Sequence, residues 1–487
     1  MHSVSLNLLA SATHGQIVGS QDGDVSFTRV EIDSRAVRPG DVFWALPGEH
    51  HDGHEFLVEA RHRGAGTAVV RRDRLAQAQE SWKSGSGHGP VSPLIVVEET
   101  LTALAELAHW YRSQQEGLVI GVTGSFGKTS TREMIHAALS ATHLGVRSPK
   151  NFNNHIGLPL SLLELDQRHE FAVLEMGASA VGEIAMLAEI ARPEVGVITG
   201  IGLAHVEGFG SPERIVLGKG ELLEALPATG FAILPSDDPL ACSMKNRASC
   251  RVFFVGESEG DHVQATNVRV ANQRLTFDVD HFEYEVPVTG RHFLRAALTA
   301  LAIAREIGMS PTQIADGLAN FQATPGRCQV HQIGPWTVID DTYNANPASM
   351  RAACETLRYW HGANKRLLIT GDMRELGPHA EQAHVDLGRT AAKTEVDGLL
   401  VFGDHAEHVV RGALEAGLPP SRLAQCDHFE ILLTVLDCVL EPGDVLLVKG
   451  SRSTRMERVI DWLRAKSGSR VEMTALSPQP SAIGSFD

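Results

Sequence analysis

The sequence lacks the features that mark membrane, secreted and disulfide-rich proteins. Its 487 residues contain no run of about 18 apolar residues, the length that a membrane helix needs. The start, MHSVSLNLLASATHG, has neither the basic segment nor the long apolar core of a signal peptide. The six cysteines form no CxxC pair and no tight cluster, which disfavours zinc sites and a disulfide framework. These absences predict a soluble cytoplasmic protein, without membrane insertion, whose thiols are reduced.

Basic residues are also scarce. The 43 Lys and Arg residues are outnumbered by 59 Asp and Glu, and the net charge of -16 disfavours sequence-independent binding to nucleic acid. Any anionic ligand must therefore meet local basic residues. The hydrophobic content of 43% is typical of a globular protein, and the chain is longer than one core of about 250 to 300 residues can support. We expect two to four domains, and a monomer.

The order of the apolar runs predicts an α/β protein of three domains. Residues 1–115 mix short apolar runs with Gly and Pro and predict a small α/β domain. Within it, the stretch 80–93 is rich in Gly, Ser and Pro and predicts a surface loop. Residues 116–325 alternate apolar strands with longer helical segments, a pattern typical of a mainly parallel sheet covered on both faces.

Two or three antiparallel strands are predicted at 264–288, as an addition to the second domain. Residues 326–465 repeat the α/β alternation and predict a third domain, of the size of a nucleotide-binding unit. The segment 466–487 has little periodicity and predicts a flexible tail.

The most informative motif is GVTGSFGKTST, residues 121–131, between the strand LVIGV and the helical run TREMIHAAL. Glycines in such a turn let backbone N–H groups face phosphate oxygens, and the helix N-terminus adds a favourable partial charge. Lys128 would neutralise the terminal phosphates, and Thr129 would hold Mg²⁺ through its hydroxyl. The spacing departs from GxxxxGK[ST], because Val122 stands where that pattern has Gly. The predicted nucleotide-binding residues are Gly121, Thr123, Gly124, Ser125, Gly127, Lys128, Thr129 and Ser130.

Three further residues are candidates for the reacting site. Glu175 ends the strand FAVLEM, so its carboxylate should lie at the sheet edge where ligands bind in α/β folds, and a hard oxygen there suits Mg²⁺. His205 follows the strand VGVIT, where a lone histidine is more often structural than a ligand. Lys219 should lie on a helix that begins at Pro212 with Ser211 as N-cap, and taken alone it is a solvated helix lysine.

Eight motifs that occur in a fixed order resemble the Mur ligases of peptidoglycan synthesis along most of the chain. They are GVTGSFGKTST, NFNNHIGLPLSLL, LEMG, GLAHVEGFGS with KGE, PGR, DDTYNANPASM, GDMRELG and KGSRSTRME. DDTYNANPASM and GDMRELG are the specific pieces, and they are most similar to the members that add D-alanyl-D-alanine to a UDP-N-acetylmuramoyl-tripeptide. The resemblance implies an N-terminal domain that binds the UDP-substrate, a central P-loop ATPase domain and a C-terminal Rossmann-like ligase domain.

The resemblance also implies a reaction. Such ligases transfer the γ-phosphoryl group of ATP to a carboxylate, and an amine then attacks the acyl phosphate. Of two Mg²⁺ ions, Thr129 would hold the first, Glu175 would bridge toward metal and His205 would hold the second, while Lys128 takes the phosphates. Lys219 matches the family lysine that CO₂ carbamylates, which turns a repelling ammonium into an oxygen ligand. Carbamylation needs the neutral amine, so a lowered lysine pKa would help.

The remaining implied contacts lie in all three domains. Ser34 and Arg35, in DSR, would hold the uridine diphosphate, although a simple turn between strands explains this segment equally well. Lys449 and Arg452 have the alternative role of pairing with surface carboxylates. The implied nucleotide contacts are Arg327 and Asp341, and the implied substrate contacts are Ser34, Arg35, Asn151, Asn154, Asn344, Asn346, Lys449, Ser451 and Arg452.

Adenine must be held differently from the family pattern. Where the family usually has HNxxN, this chain has Phe293 and Ala296 behind His292. Stacking on Phe293 is one way to hold the base without those asparagines.

Two other functions stay open at this stage. A related ligase, which adds the third peptide residue or glutamate to folate, shares the phosphate loop; against it, the DNPR loop of the diaminopimelate-adding enzyme is absent, and a folate enzyme should not need the first domain. A catalytically inactive nucleotide-binding homologue would explain the replaced asparagines, but Lys128, Thr129, Glu175, His205 and Lys219 are all retained.

Overall fold

The fold is described from a computed structural model, which covers residues 1–19, 25–48, 51–86, 92–203 and 206–468. The chain is divided into two compact units. The first comprises Met1–Thr324 with Glu375–Gly377, and the second comprises Pro325–Arg374 with Pro378–Asp487. Among the described residues, no helix combines the length and the apolar character that a bilayer crossing requires.

The first unit begins with a five-stranded sheet of order β2-β7-β6-β5-β4, parallel except for β2. Its inner strands are short apolar runs that are buried on both faces. The elements are β1 (Val4–Ser5), α1 (Leu6–Ala12), β2 (Gln16–Val18), β3 (Ser26–Phe27), β4 (Val30–Glu31), β5 (Val42–Trp44), α2 (Leu57–His62), β6 (Thr67–Arg71), α3 (Leu75–Gly85), β7 (Leu94–Val97) and α4 (Thr100–Arg112).

The loop predicted at 80–93 is wrong for residues 80–85, which belong to α3. Trp82 is buried there and donates from Nε1 to the carbonyl oxygen of Ser92 at 3.0 Å. Burial of this large aromatic side chain outweighs the weak helix propensity of its Gly and Ser neighbours. Residues 87–91 lie outside the described part of the chain.

The central sheet has seven strands in the order β14-β13-β12-β11-β8-β10-β9, all parallel. The carboxyl ends of β8, β10 and β11 therefore meet at one edge. The elements are β8 (Leu118–Thr123), α5 (Lys128–Leu139), β9 (Gly145–Arg147), α6 (Gly157–Leu162), β10 (Phe171–Glu175), α7 (Glu183–Ala191), β11 (Val195–Ile198), α8 (Val206–Phe209), α9 (Pro212–Glu224), β12 (Phe231–Pro235), α10 (Pro239–Ser243), β13 (Arg251–Gly256) and β14 (Val263–Gln264).

A three-stranded antiparallel sheet, as predicted for 264–288, and two helices complete the first unit. The elements are β15 (Thr266–Ala271), β16 (Arg274–Val279), β17 (Phe282–Val286), α11 (Leu294–Glu306) and α12 (Pro311–Ala319).

The second unit has a six-stranded sheet of order β18-β19-β23-β20-β21-β22, parallel except for the edge strand β18. The tail predicted from 466 begins too early, because the last helix continues to Ser467; residues 469–487 lie outside the described part. The elements are β18 (Gln329–Ile333), β19 (Trp336–Asp341), α13 (Pro347–Arg358), β20 (Arg366–Thr370), α14 (Ala380–Lys393), β21 (Gly398–Phe402), α15 (Ala406–Glu415), β22 (Leu423–Cys426), α16 (Phe429–Val439), β23 (Val445–Lys449) and α17 (Glu457–Ser467).

Candidate active site

The glycine-rich loop joins the central strand β8 to the start of α5. Gly124 and Gly127 have positive φ angles of 147° and 79°, which favour glycine. A Cβ at Gly124 would lie 2.2 Å from the hydroxyl oxygen of Thr199, so the loop is packed against the end of β11. The Lys128 Nζ donates to the carbonyl oxygen of Gly124 at 2.8 Å. Thr199, which sequence analysis missed, donates to Thr123 O at 3.2 Å and to Phe126 O.

Two of the predicted phosphate-binding residues belong to the strand instead. Gly121 pairs with Leu174 on one side and Gly196 on the other, and a Cβ there would press on Leu222 and Met176. Its glycine is required by packing, and the prediction that it shapes the phosphate turn is wrong. The hydroxyl of Thr123 donates to the carbonyl oxygen of Met176 at 2.7 Å, so this side chain is used inside the sheet.

Ser125 is the residue of the loop whose environment points most directly to a ligand. It is only 6% exposed, and its hydroxyl has no hydrogen-bond partner within the described part of the protein. A buried polar group without a partner costs about 1 to 3 kcal/mol, which a ligand oxygen would recover. Ser130 lies half-buried in the first turn of α5. The loop therefore fits a phosphate group.

Glu175, at the end of β10, accepts hydrogen bonds from three side chains. The Thr129 hydroxyl donates to Oε2 at 3.0 Å, the Asn153 amide donates to Oε1 at 3.0 Å, and Arg132 Nη1 lies 3.3 Å from Oε2. The backbone N–H of Glu175 donates to Ser148 Oγ at 3.1 Å. The structure thus brings together Thr129 and Glu175, which were both predicted to be metal ligands.

The two predicted asparagines beside this cluster are used locally. Asn154 Oδ1 accepts from the backbone N–H groups of Ile156 and Gly157, at 3.2 and 2.9 Å, and so leads into α6. The carbonyl oxygen of Asn151 accepts from Asn153 N at 2.8 Å. Both side chains are exposed, and their contact with substrate stays a prediction.

Lys219 lies on α9, which begins at Pro212 with Ser211 as the capping residue, as predicted. The lysine is 1% exposed, donates to Ala178 O at 3.1 Å and lies 5.2 Å from the ring centre of Phe209. Burial, aided by the charge of Lys128, holds the pKa of the Lys219 amine well below its usual range. The alternative of a solvated lysine is therefore wrong.

Metal ligation rests on few protein groups. His205 lies outside the described residues. In the part of the chain that is described, no group of three or more His, Cys, Asp or Glu side chains could hold a metal ion. Mg²⁺ is commonly held by one or two carboxylates and the substrate phosphates, and the oxygens of Thr129 and Glu175 suit that mode.

In the second unit, Lys449 ends β23 and Asp341 ends β19. The Lys449 Nζ lies 2.6 Å from Asp341 Oδ2 and donates to Asn344 O at 3.0 Å. Burial raises the pKa of Asp341, and the charge of Lys449 opposes that rise. Lys449 is 2% exposed, so the alternative of a surface ion pair is wrong for it. The Arg327 guanidinium lies 4.1 Å from the ring centre of Tyr343.

The other predicted residues of the second unit have structural partners. Asn346 caps α13 and accepts from Ser349 N at 2.9 Å. Ser451 is buried, and its hydroxyl accepts from Arg374 N at 2.8 Å. Arg452 is exposed and lies 3.3 Å from Glu457, as the surface-pair alternative proposed. Their roles toward a substrate stay predictions.

In the first domain, residues 34–36 form a 3₁₀ turn with Asp33 as its cap. Ser34 Oγ donates to Glu59 Oε2 at 2.7 Å, and Arg35 donates to both Asp33 oxygens, at 2.9 and 2.8 Å. The turn that was the alternative for this segment is therefore present, and a diphosphate contact stays a prediction.

Stacking of adenine on Phe293 is ruled out by burial. The ring is 2% exposed and packs against Phe321 with centroids 5.8 Å apart, so it has no open face. The neighbouring Arg295 contacts the glycine-rich loop instead: it donates to Thr199 O at 3.0 Å and lies 5.7 Å from the ring centre of Phe126.

Comparison with known proteins places this site in a family. Three family profiles match successive parts of the chain: "Mur ligase family, catalytic domain" over residues 26–112, "Mur ligase middle domain" over 122–304 and "Mur ligase, glutamate ligase domain" over 326–452. The chain belongs to the Mur ligase family. The predicted fold class of three α/β domains is confirmed.

Individual relatives cover nearly the whole chain. It is 34% identical to the UDP-N-acetylmuramoyl-tripeptide–D-alanyl-D-alanine ligase of Escherichia coli, across 95% of this chain and 99% of that protein. It is similar to MurF from Acinetobacter baumannii, with a TM-score of 0.83, 31% identity and coverage of 96% and 99%. It is also similar to MurF ligase from Thermotoga maritima in complex with ADP, with a TM-score of 0.76, 30% identity and coverage of 90% and 98%.

Proposed function

We propose that this protein is an ATP-dependent ligase that joins D-alanyl-D-alanine to UDP-N-acetylmuramoyl-tripeptide in peptidoglycan synthesis, and releases ADP and phosphate. The geometric observation that carries the proposal is the 3.0 Å contact between Thr129, at the start of the phosphate-loop helix, and Glu175, at the end of the neighbouring strand. The near full-length similarity to ligases of that name supports the choice of substrates.

The proposed reaction has two steps. A carboxylate oxygen of the tripeptide attacks the γ-phosphorus of ATP, the bond to the ADP oxygen breaks and an acyl phosphate forms. The amine of the dipeptide then attacks the acyl carbon, and phosphate leaves as the amine loses a proton. The first step brings anions together, so cations must stabilise the developing charge. Lys128 and the first N–H groups of α5 are suited to this task.

We assign the first Mg²⁺ to the oxygens of Thr129 and Glu175; a second Mg²⁺ held by His205, and carbamylated Lys219 as a further metal ligand, are the other predictions. Bound there, the ion would neutralise phosphate charge during transfer. Arg132 and Asn153 hold the carboxylate of Glu175 in place.

Carbamylation of Lys219 is supported by the state of its amine. The neutral amine attacks the carbon of CO₂: one N–C bond forms as the π bond of one C=O group breaks toward its oxygen, and the nitrogen loses a proton to water, so the product is an anionic carbamate. Burial lowers the pKa of this amine, so less free energy is needed to reach the neutral form that attacks CO₂.

The work is proposed to be divided among the predicted domains. Residues 1–115 would bind the UDP-muramyl substrate, residues 116–325 would bind ATP, and residues 326–465 would contribute the nucleotide and acceptor contacts of Arg327, Asp341, Asn344 and Lys449. A cytoplasmic location, the monomeric state and the absence of a nucleic-acid partner stay predictions.

A phosphate-release assay tests the proposal. Purified protein with ATP, Mg²⁺ and UDP-muramyl tripeptide should release phosphate with D-alanyl-D-alanine, and neither single amino acids nor folates should replace the peptide substrates. Lys128→Ala should lower the rate by about 10³-fold, because one cation at the transferring group is lost. Nucleotide binding without phosphate release from any amine and muramyl peptide pair would favour the inactive homologue instead.

A further inference from the structure

Arg132, on the first turns of α5, is a buried charged residue of the central domain to which sequence analysis assigned no role. We propose that Arg132 is a positioning residue, which holds Glu175 and the segment Ser148–Asn154, here called the asparagine loop, as one unit. In this arrangement, one side chain fixes the positions of both the proposed metal ligand Glu175 and the predicted substrate contacts in the asparagine loop. The inference rests on the proposed ligase function.

The contacts of Arg132 reach both parts. Its Nη1 donates to the carbonyl oxygen of Lys150 at 2.7 Å and lies 3.3 Å from Glu175 Oε2. The other side of the guanidinium is held by Glu133 Oε1, with Nη2 at 2.6 Å and Nε at 3.1 Å. One planar side chain thus connects a helix, a strand end and a loop.

The asparagine loop is joined to Glu175 at further points. Ser148 Oγ accepts from Glu175 N at 3.1 Å, and the Asn153 amide donates to Glu175 Oε1 at 3.0 Å. The carbonyl oxygen of Asn153 accepts from Gly177 N at 2.7 Å. A movement of the loop would therefore move the carboxylate, and a movement of the carboxylate would move Asn151 and Asn154 toward or away from a substrate.

The backbone at the Arg132 contact needs support from outside the loop. Lys150 has a φ of 48°, in the left-handed region that costs a non-glycine residue about 1 to 2 kcal/mol. Its side chain is exposed, whereas its carbonyl oxygen is the one that Arg132 holds. Arg132 is thus placed to fix the loop in this conformation.

Two neighbouring carboxylates explain how the positive charge of Arg132 can be buried. Arg132 is 2% exposed, and a buried charge is stable only if it is paired and hydrogen-bonded. Two carboxylates, Glu133 and Glu175, provide the pairing. A lysine would keep the positive charge. It could not donate hydrogen bonds to the carbonyl oxygen and to both carboxylates in one plane, because only arginine has a planar group with five N–H donors.

The test uses Arg132→Lys in the full-length chain, with Arg112→Lys as a matched control. Arg112 is a second buried arginine, 6% exposed, which pairs with Glu194 and donates to Ala191 O at 3.0 Å. It lies near the amino end of β11, away from the glycine-rich loop. Both variants should lower Tm, so stability alone does not distinguish the two sites.

Binding measurements make the distinction. Calorimetry with ADP alone should give the same Kd for Arg132→Lys as for the unaltered protein. The gain in ADP affinity on adding Mg²⁺ should fall about 10-fold, and so should the affinity for UDP-muramyl tripeptide, since residues that orient metal ligands typically matter by this factor. Arg112→Lys should change neither quantity.

The inference is overturned if Arg132→Lys binds Mg²⁺-ADP and the tripeptide as the unaltered protein does. If Arg132→Lys does not fold, Glu133→Gln, which loosens the guanidinium, should shift both quantities in the same direction by less, and an unchanged Glu133→Gln protein would then overturn it. Failure of the proposed function is seen separately, as unaltered protein that releases no phosphate with the dipeptide, while the Mg²⁺-ADP titrations still judge Arg132.

Discussion

Within the described ranges, each unit buries one lysine near the carboxyl ends of parallel strands, and the two lysines have different partners. Lys219 is 1% exposed and reaches one carbonyl oxygen and the face of an aromatic ring. Lys449 is 2% exposed and lies 2.6 Å from the carboxylate of Asp341. Of these two lysines, only Lys449 has an ion-pair partner among the described residues.

The difference shows how a protein selects the state of a buried amine. Burial disfavours the charged form unless an opposite charge accompanies it. No carboxylate in the described part of the chain forms an ion pair with Lys219. Burial lowers its pKa although nearby carboxylates oppose the shift, which supports the proposed reaction of the amine with CO₂. Lys449 has an ion-pair partner, so it is suited to hold the turn after β19 through Asn344. Whether the sequence places a lysine on a helix or at a strand end does not predict whether its buried amine is charged or neutral.

Removal of the Lys219 amine tests the proposed role of the lysine that has no ion-pair partner, and it should have the largest effect on ligase activity. Lys219→Ala should lower ligase activity by about 10³-fold, because an oxygen ligand formed on the amine is lost. Formate should restore part of the activity by supplying a carboxylate in the vacated space. Phosphate release with and without formate measures both effects, and full activity without formate would exclude the carbamate role.

Removal of the Lys449 amine should act on stability instead. Lys449→Met leaves the mostly buried carboxylate of Asp341 without its ion-pair partner, which costs up to about 3 to 5 kcal/mol. Lys219→Met, by contrast, removes a buried amine that donates to a carbonyl oxygen, and should leave the free energy of unfolding equal or higher. Urea unfolding of both variants checks the contrast. Equal losses in the two proteins would show that the two lysines are bound alike.

Much of the fold is predictable because its physical cause is local. Buried parallel strands read as continuous apolar runs, such as LVIGV and FAVLE, and Ser211 with Pro212 marks the start of α9. Gly121 shows the limit of this reasoning. The sequence does not show whether a glycine next to a phosphate motif is required by a turn or by side-chain packing. At Gly121 the reason is packing against Leu222 and Met176.

The contacts around Glu175 depend on the order of the strands in space. Arg132, Ser148 and Asn153 meet it because β10 lies between β8 and β9 in the sheet, although the segments are far apart in sequence. A helical spacing of three residues from Thr129 places Arg132 on the same side of α5, which is the one pattern that could have pointed to it. No local sequence pattern predicts which segments pack against that face of the helix.

The pH dependence of stability sharpens the comparison further. The folded pKa of Lys219 lies below the value of 10.5 for an unperturbed lysine, so in the interval between them the unfolded chain binds a proton that the folded chain does not. Stability therefore rises with pH through this interval and falls as pH is lowered. In CO₂-free buffer, the unaltered protein should gain up to about 1.4 kcal/mol per pH unit relative to Lys219→Met. Urea unfolding at about pH 7 and about pH 9 measures the difference; a constant difference would mean that Lys219 is charged in the fold.

The smallest expected effect concerns how Lys219 is held in place. Ser211 Oγ accepts from Arg214 N at 3.4 Å, and Ser211→Ala should cost about 1 kcal/mol of stability. Ligase activity should stay within about 2-fold, because burial of Ile215 and Leu222, and not the cap, fixes the position of the helix. Ser310→Ala, which removes the cap of α12, is the matched control for stability. If Ser211→Ala lost much more activity than Ser310→Ala at the same fall in Tm, then the start of α9 would be part of what positions the reactive amine, and burial alone would not explain its placement.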